Sequence, residues 1–155
     1  MNRVQVIKSI FETYPDAFFI LSNGLTSREA AHFLRNDRSF YMLHAMGEAL
    51  SVGIGLAQAC PNLEVVVIDG DGNALMGMSA WSMMNIENLR YYIIANKIYE
   101  TTGSQQVPPF PCLPEWCTLL PFEPGMEDTP NPPSPGVIWT ETQAWLKRIL
   151  KHQGE

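Results

Sequence analysis

The sequence has 155 residues, of which 46% are hydrophobic, and its ten Lys and Arg against sixteen Asp and Glu give a formal net charge of −6. This length and apolar content predict one domain over residues 1–155 with a core of its own. The acidic balance and the lack of a basic run argue against nucleic acid as a partner. No apolar stretch reaches the roughly 18 residues of a membrane span. The N-terminus lacks a signal-peptide pattern, so we expect a cytoplasmic protein.

The three cysteines, Cys60, Cys112 and Cys117, do not indicate a disulfide framework, because their number is odd and no secretion signal is present. Cys112 and Cys117 have no His near them in the sequence. A zinc site is therefore not favoured at this pair.

The predicted elements alternate between helices and short apolar strands. In chain order they are a helix at 4–13, a strand at 17–21, a helix capped by Thr26 and Ser27, a strand at 39–43, a helix at 45–60, a strand at 64–68, a helix at 74–84, strands at 89–95 and 137–140, and a helix at 142–150. This βαβ pattern, with strands apolar on both faces, predicts an α/β fold in which helices cover both sides of a parallel sheet.

One segment, residues 107–135, holds ten of the twelve prolines. Proline excludes regular helix and central strand. Two interpretations stay open for this long connection. It is an ordered, stiff surface loop, or it is a lid or subunit contact that uses Phe110, Trp116 and Phe122.

The stretch VVVIDGDGNALMGMSAW, residues 65–81, ends an apolar strand in two acids among glycines. A simple turn is one interpretation, because Asp-Gly is common turn chemistry. The other is a phosphate site, because strand, glycine turn and helix N-terminus present free N–H groups to an anion. An acid in such a turn would repel a phosphate unless a cation lies between them, so Asp71 indicates a bridging divalent metal such as Mg²⁺.

Polar residues follow several predicted strands at their carboxyl ends, where ligands of parallel sheets bind. These positions are Asn23-Gly24, His44-Ala45, 69–73 and Asn96. Asp71 and Asn96 are 25 residues apart, which is room for one helix and one strand. Oxygens of both side chains can then ligate one hard cation from adjacent strand ends.

Gly-Asp-Gly followed at this spacing by Asn resembles the signature of thiamine diphosphate enzymes. The resemblance implies that Mg²⁺ binds the side chains of Asp71 and Asn96 and the carbonyl of Ile98. The cofactor would contact Met46 before Gly47, which would support its V shape, and the backbone at His44. Two alternatives stay open for the His44 side chain: it enters the pocket with a chemical role, or it caps a neighbour. The remaining cofactor-binding positions implied by the resemblance are Asn23, Gly24, Gly70, Gly72 and Asn73.

Two further segments, NGLTSREA at 23–30 and YETTGSQQ at 99–106, resemble the branch that contains phosphonopyruvate and sulfopyruvate decarboxylases. The resemblance covers roughly residues 3–106 and 136–150. It implies a carbon–carbon lyase that decarboxylates a 3-substituted pyruvate, a 2-oxo acid. The alternatives are a carboligase subunit similar to acetolactate synthase and a non-catalytic subunit that binds thiamine diphosphate. Ala95, Lys97 and His44 depart from the residues usual in this branch.

In this family a glutamate comes from a second, pyrimidine-binding domain, and Glu48, Glu87 and Glu100 do not lie in such a context. The resemblance therefore implies a separate α-type partner subunit that brings this glutamate, in a hetero-oligomer of α2β2 composition or larger. The small residues of 45–59 would serve that interface or only pack internally. Arg28 and Lys97 are candidates for binding an anionic substituent of the substrate, or are ordinary surface charges.

Overall fold

The computed structural model describes residues 1–152. The strands are β1 (Phe18–Leu21), β2 (Ser39–Tyr41), β3 (Val65–Gly70), β4 (Leu89–Ala95), β5 (Ile98–Tyr99), β6 (Gln105–Gln106) and β7 (Cys117–Pro121). The helices are α1 (Arg3–Thr13), α2 (Leu25–Phe33), α3 (Ala49–Ala59), α4 (Asp71–Met76), a 3₁₀ helix (Met78–Met83) and α5 (Pro135–His152). No helix within residues 1–152 combines the length and the apolar character that a membrane crossing requires.

Five parallel strands form the central sheet in the order β2-β1-β3-β4-β7, and β5 and β6 form a separate antiparallel pair. Buried side chains of α3 and the 3₁₀ helix form an apolar core with one face of the sheet, and those of α1 and α2 form a second core with the other face. The predicted α/β fold, a parallel sheet between helices, is confirmed.

The strand order reverses between β1 and β3. The chain passes from β1 outward to β2 and then returns across β1 to β3. The connections that leave β1 and β3 therefore run in opposite directions and open a crevice beyond the carboxyl ends of these two strands, which is where ligands of open α/β sheets bind.

The predicted strand at 137–140 is wrong, because these residues lie in α5. Proline at the first helical position is compatible with a helix start, and Pro135 takes that position here. Ile138 and Trp145, seven residues apart, are both buried, which is a helical rather than a strand period. Trp145 packs on Phe18 with their ring centroids 5.0 Å apart.

The fifth strand of the sheet is β7, inside the proline-rich segment. It pairs with β4 and lies at the edge of the sheet. Phe122 donates its N–H to the carbonyl of Ala95 at 3.0 Å, so alternate residues such as Pro121 turn their backbone nitrogen away from β4. An edge strand tolerates proline at such a position because no ladder hydrogen bond is lost.

Other predicted helix bounds are also corrected, and the helix predicted at 74–84 begins at Asp71 and is divided into α4 and the 3₁₀ helix. The helix predicted from residue 45 begins at Ala49, because Ala45 (φ 61°) and Gly47 (φ 85°) have left-handed backbone conformations. Gly24, not Thr26 or Ser27, occupies the N-cap of α2. The Ser27 hydroxyl instead donates to the carbonyl of Leu21 at 2.9 Å and ties α2 to β1.

The aromatic residues of the proline-rich segment pack on the domain itself. Phe110 and Trp116 each lie with their ring centroids 5.8 Å from the ring of Trp81. The ring of Phe122 lies under the guanidinium of Arg3, at 4.8 Å. The side chains of Phe110, Trp116 and Phe122 therefore have internal partners.

Candidate functional site

Asp71 follows β3 directly and is the first residue of α4, with 6% of its surface exposed. One carboxylate oxygen accepts the N–H of Gly72 at 2.9 Å, and the other accepts the N–H of Lys97 at 2.8 Å. Burial raises the pKa of this carboxyl above its ordinary value, although these N–H groups oppose the shift. A nearby cation would favour the ionised form, so the environment of Asp71 suits a metal.

The second part of the site is the loop after β4. Asn96 turns its side-chain oxygen toward the N–H of Ile98 at 3.2 Å. Between them, Lys97 has a φ of 66°, which is uncommon for a residue other than glycine. This turn brings the Lys97 N–H to Asp71 and so connects the ends of β3 and β4.

A pair of amides lies across the crevice between β1 and β3. The side-chain amide nitrogen of Asn73 donates to the side-chain oxygen of Asn23 at 3.1 Å. The side-chain oxygen of Asn73 is buried and has no hydrogen-bond partner within residues 1–152. A buried polar atom without a partner is costly, so this atom indicates a place for a ligand or metal.

The glycine after Asp71 is required by close packing. A Cβ at Gly72 would lie 2.3 Å from a ring carbon of Tyr99, which is far inside contact distance. The backbone of the turn therefore lies directly against the loop that follows Asn96.

The predicted site residues lie in one cleft of about 140 Å³, with the exception of His44. The cleft is lined by Asn23, Gly24, Met46, Gly70, Asp71, Gly72, Asn73, Asn96 and Ile98, together with residues of the loop at 99–102, Arg3 and Phe122. Met46 is 50% exposed at its margin. His44 is exposed and lines a separate apolar groove between the end of β2 and Trp139 at the start of α5.

Two features next to the site go beyond the sequence analysis, in which Asp69 is only one of two acids at the end of a strand and Arg3 is not named. Asp69, two residues before Asp71, is 1% exposed, and burial raises its pKa to about 7 although the hydroxyl of Tyr91 donates to it at 2.9 Å. An acid inside an otherwise apolar strand is the signal for such a group. The second feature is the buried Arg3, which binds Glu29 and Glu100 at one end of the cleft. Its partners are distant in sequence, so no local pattern predicts it.

The donors present fit a hard divalent cation. They are a buried carboxylate, amide oxygens and main-chain carbonyls, the oxygen ligands that Mg²⁺ prefers. Within residues 1–152, no three His, Cys, Asp or Glu side chains are grouped to hold a metal ion. A metal here would therefore depend on a single carboxylate supported by neutral oxygens. The fold and this site define a cofactor-binding α/β domain, with its ligand at the carboxyl ends of parallel strands.

Comparisons with known proteins agree with this class. The family described as thiamine pyrophosphate enzyme, C-terminal TPP binding domain, matches residues 22–112. The chain belongs to this family of thiamine pyrophosphate-binding domains.

Among curated proteins, the β subunit of sulfopyruvate decarboxylase from Methanocaldococcus jannaschii is 42% identical over 109 residues, which cover 68% of this chain and 57% of that protein. Phosphonopyruvate decarboxylase from Streptomyces hygroscopicus is 37% identical over 109 residues, which cover 68% of this chain and 27% of that enzyme. The match spans less than two thirds of the length of either relative.

Among solved structures, 2-oxoglutarate:ferredoxin oxidoreductase from Magnetococcus marinus has a TM-score of 0.55 and 24% sequence identity. The likeness covers 68% of this chain and 38% of that chain. At this identity it supports the fold alone.

Proposed function

We propose that this chain is the diphosphate-binding subunit of a split 2-oxo acid decarboxylase that depends on thiamine diphosphate and Mg²⁺. The observation that carries the proposal is the placement of Asp71, Asn96 and Ile98 on one cleft at the strand-order reversal. Its substrate would be a 3-substituted pyruvate of the sulfopyruvate or phosphonopyruvate type, the substrates named in the relatives' descriptions.

Each part of the cleft has a role in this proposal. The side chains of Asp71 and Asn96 and the carbonyl of Ile98 would hold Mg²⁺, which would offset the charge of the diphosphate. The backbone at Gly24, Gly70 and Gly72 would lie beside the diphosphate. The side-chain nitrogen of Asn23 would donate to its oxygens, whereas the side-chain oxygen of Asn73 would accept from a donor of the cofactor or bind a cation. Thiamine diphosphate, when bound, supplies the electron sink that loss of CO₂ requires.

The cleft is too small for the whole cofactor. Pockets that enclose a drug-sized ligand have about 300–1,000 Å³, whereas this one has about 140 Å³. Glu100 lines it, but Arg3 and the N–H of Gly125 bind its carboxylate. A partner subunit would therefore complete the wall and bring the glutamate that the cofactor needs. The β-subunit descriptions of the relatives support a heteromer.

Neither predicted substrate-binding cation lies in the cleft. The guanidinium of Arg28 donates to the carbonyl of Thr129. Lys97 is exposed and lines an apolar groove on the other side of Asp71. In this proposal the partner also binds the anionic substituent of the substrate, because residues 1–152 offer no unpaired buried cation at the cleft.

The proposal is tested by reconstitution. The purified chain alone should release no CO₂ from sulfopyruvate, phosphonopyruvate or pyruvate with thiamine diphosphate and Mg²⁺ present. Co-expression with an α-type subunit encoded in the same genome should give a complex that does. Asp71→Asn in the complex should remove the activity, and Asp16→Asn on the exposed surface should keep it. Full turnover by the single chain, or a stable complex without turnover of any 2-oxo acid, would contradict the proposal.

A further inference from the structure

Arg3, the first residue of α1, is a buried cation that binds two carboxylates. Its guanidinium bonds Glu29 of α2 at 2.5 Å and also bonds Glu100, which follows β5. The three side chains are only 4%, 3% and 8% exposed, and the ring of Phe122 covers the guanidinium. Burying three charged groups is expensive, and breaking such a group by removing one partner is strongly destabilising.

This group is not an anion site of the cleft. Two carboxylates against one guanidinium leave a formal charge of −1, which repels a diphosphate. The guanidinium donors that face the group are already bonded to Glu29, Glu100 and the carbonyl of Gly125. Arg3 therefore acts on the cleft through the residues that it holds.

Glu100 connects this group to the metal-binding loop. It lies two residues after Ile98 and four after Asn96, in the hairpin that β5 forms with β6. Its second oxygen accepts the N–H of Gly125 at 2.7 Å, which ties the loop to the segment after β7 as well. Glu29 belongs to α2 and not to this loop, although it too accepts a backbone hydrogen bond from the segment after β7, at Glu127.

The loop is held on either side of Ile98, in addition to its pairing with β6 and the bond from the N–H of Val107 to the carbonyl of Lys97. On the earlier side the N–H of Lys97 bonds Asp71, with the uncommon φ of 66°. On the later side Glu100 bonds Arg3. An uncommon backbone conformation persists where the surrounding structure fixes it. The direction of the Ile98 carbonyl between the two anchors depends on both.

We propose that Arg3 is a positioning residue for the metal site: by binding Glu100 it fixes the loop from Asn96 to Glu100 in the shape that ligates Mg²⁺. The inference rests on the proposed function. Arg3 touches neither metal nor substrate in this account, and its effect passes through Glu100.

Glu100→Gln and Glu29→Gln are a matched pair of variants. Each removes one carboxylate from Arg3, leaves one ion pair, and changes the side-chain size very little. Only Glu100 belongs to the metal-binding loop. We expect Glu100→Gln to raise amide hydrogen exchange of residues 98–106 by about 10-fold in the metal-free full chain, the change expected for loss of a charged hydrogen bond. Glu29→Gln should leave exchange in this segment unchanged.

The second measurement is calorimetric titration of Mg²⁺ and thiamine diphosphate into the chain assembled with its partner. Glu100→Gln and Arg3→Met should each weaken binding by about 10-fold, because the loop must be ordered when the metal arrives. Glu29→Gln should bind as the wild type does. If the assembled wild type binds the cofactor but the two glutamate variants change loop exchange and affinity equally, or not at all, the positioning role is overturned. No cofactor binding by the assembled wild type would instead overturn the proposed function.

Discussion

Asp71 is a nearly buried acid whose two oxygens accept main-chain N–H groups. Burial raises its pKa, so an ion of opposite charge would stabilise the ionised carboxylate. The side-chain oxygen of Asn73 is a neutral acceptor, and it is buried without a partner within residues 1–152. At the scale of single residues, the described part of the chain supplies no cation to these two side chains, which is a property of a binding site rather than of a stable core.

Substitution of Met46 tests whether this side chain, at the margin of the cleft, controls the shape of the bound cofactor. It is half exposed, so Met46→Ala should change the free energy of unfolding by less than about 0.5 kcal/mol. Affinity for Mg²⁺ and thiamine diphosphate should be nearly intact in the assembled complex. Hydrogen–deuterium exchange at the cofactor's C2, followed by NMR, should slow on the order of 10²-fold because alignment is lost.

Met46→Leu is the control, because Leu and Met have similar volumes and this variant should keep the exchange rate. If Met46→Ala exchanges as fast as the wild type, Met46 has only a packing role.

The residues that we propose as metal ligands could be singled out from the sequence because the pattern that contains them is local. Gly-Asp-Gly after an apolar strand and Asn96 after the next one place oxygens at the carboxyl ends of two strands, and these ends are neighbours here because β3 pairs with β4. Arg3 and Glu100 were not, because their contact joins residues 97 positions apart. His44 follows β2 in sequence as Asn23 follows β1, yet β2 lies at the edge of the sheet, so His44 lines a different groove.

At the scale of elements, the strand predicted at 89–95 has the same bounds as β4, whereas the strand predicted at 137–140 is wrong. Residues 89–95 form a strand with the predicted bounds because apolar residues fill it. The residues VIWT at 137–140 have strand-forming side chains, but Pro135 and the burial of Ile138 and Trp145 favour a helix. The strand CTLLP at 117–121 was not predicted because it lies in the proline-rich segment. Its proline is tolerated because the strand is at the edge of the sheet.

The small residues of helix α3 lie on different faces of the helix. A Cβ at Gly53 would lie 2.3 Å from a methyl carbon of Val67 on β3, whereas one at Gly55 would meet nothing within 4 Å. Gly53→Ala should therefore destabilise the protein by about 1–3 kcal/mol through overpacking. Gly55→Ala should stabilise it by about 0.5–1 kcal/mol through helix propensity.

Urea denaturation of both variants measures these changes. Stabilisation by Gly53→Ala would mean that α3 does not pack on β3 through Gly53. In that case the small residue of α3 that faces the sheet would not be the reason that the helix lies close to it.

At the scale of the whole molecule, the order β2-β1-β3-β4-β7 places the reversal between β1 and β3, and the cleft opens there. The α/β class followed from the alternation of elements, but the order of strands did not, because register and neighbours depend on long-range packing. The chain belongs to a thiamine pyrophosphate-binding domain family and matches only part of each curated relative. A small, open cleft is consistent with a site that a second subunit completes.

The most direct test of this account is calorimetric titration of thiamine diphosphate into the chain assembled with its partner, with and without Mg²⁺. The account predicts binding only when Mg²⁺ is present. It also predicts that Asp71→Asn reduces binding below detection, because the diphosphate would then meet the turn without a bridging cation, while the surface variant Asp16→Asn binds as the wild type does. Unchanged affinity in Asp71→Asn, or wild-type affinity that does not depend on Mg²⁺, would contradict it.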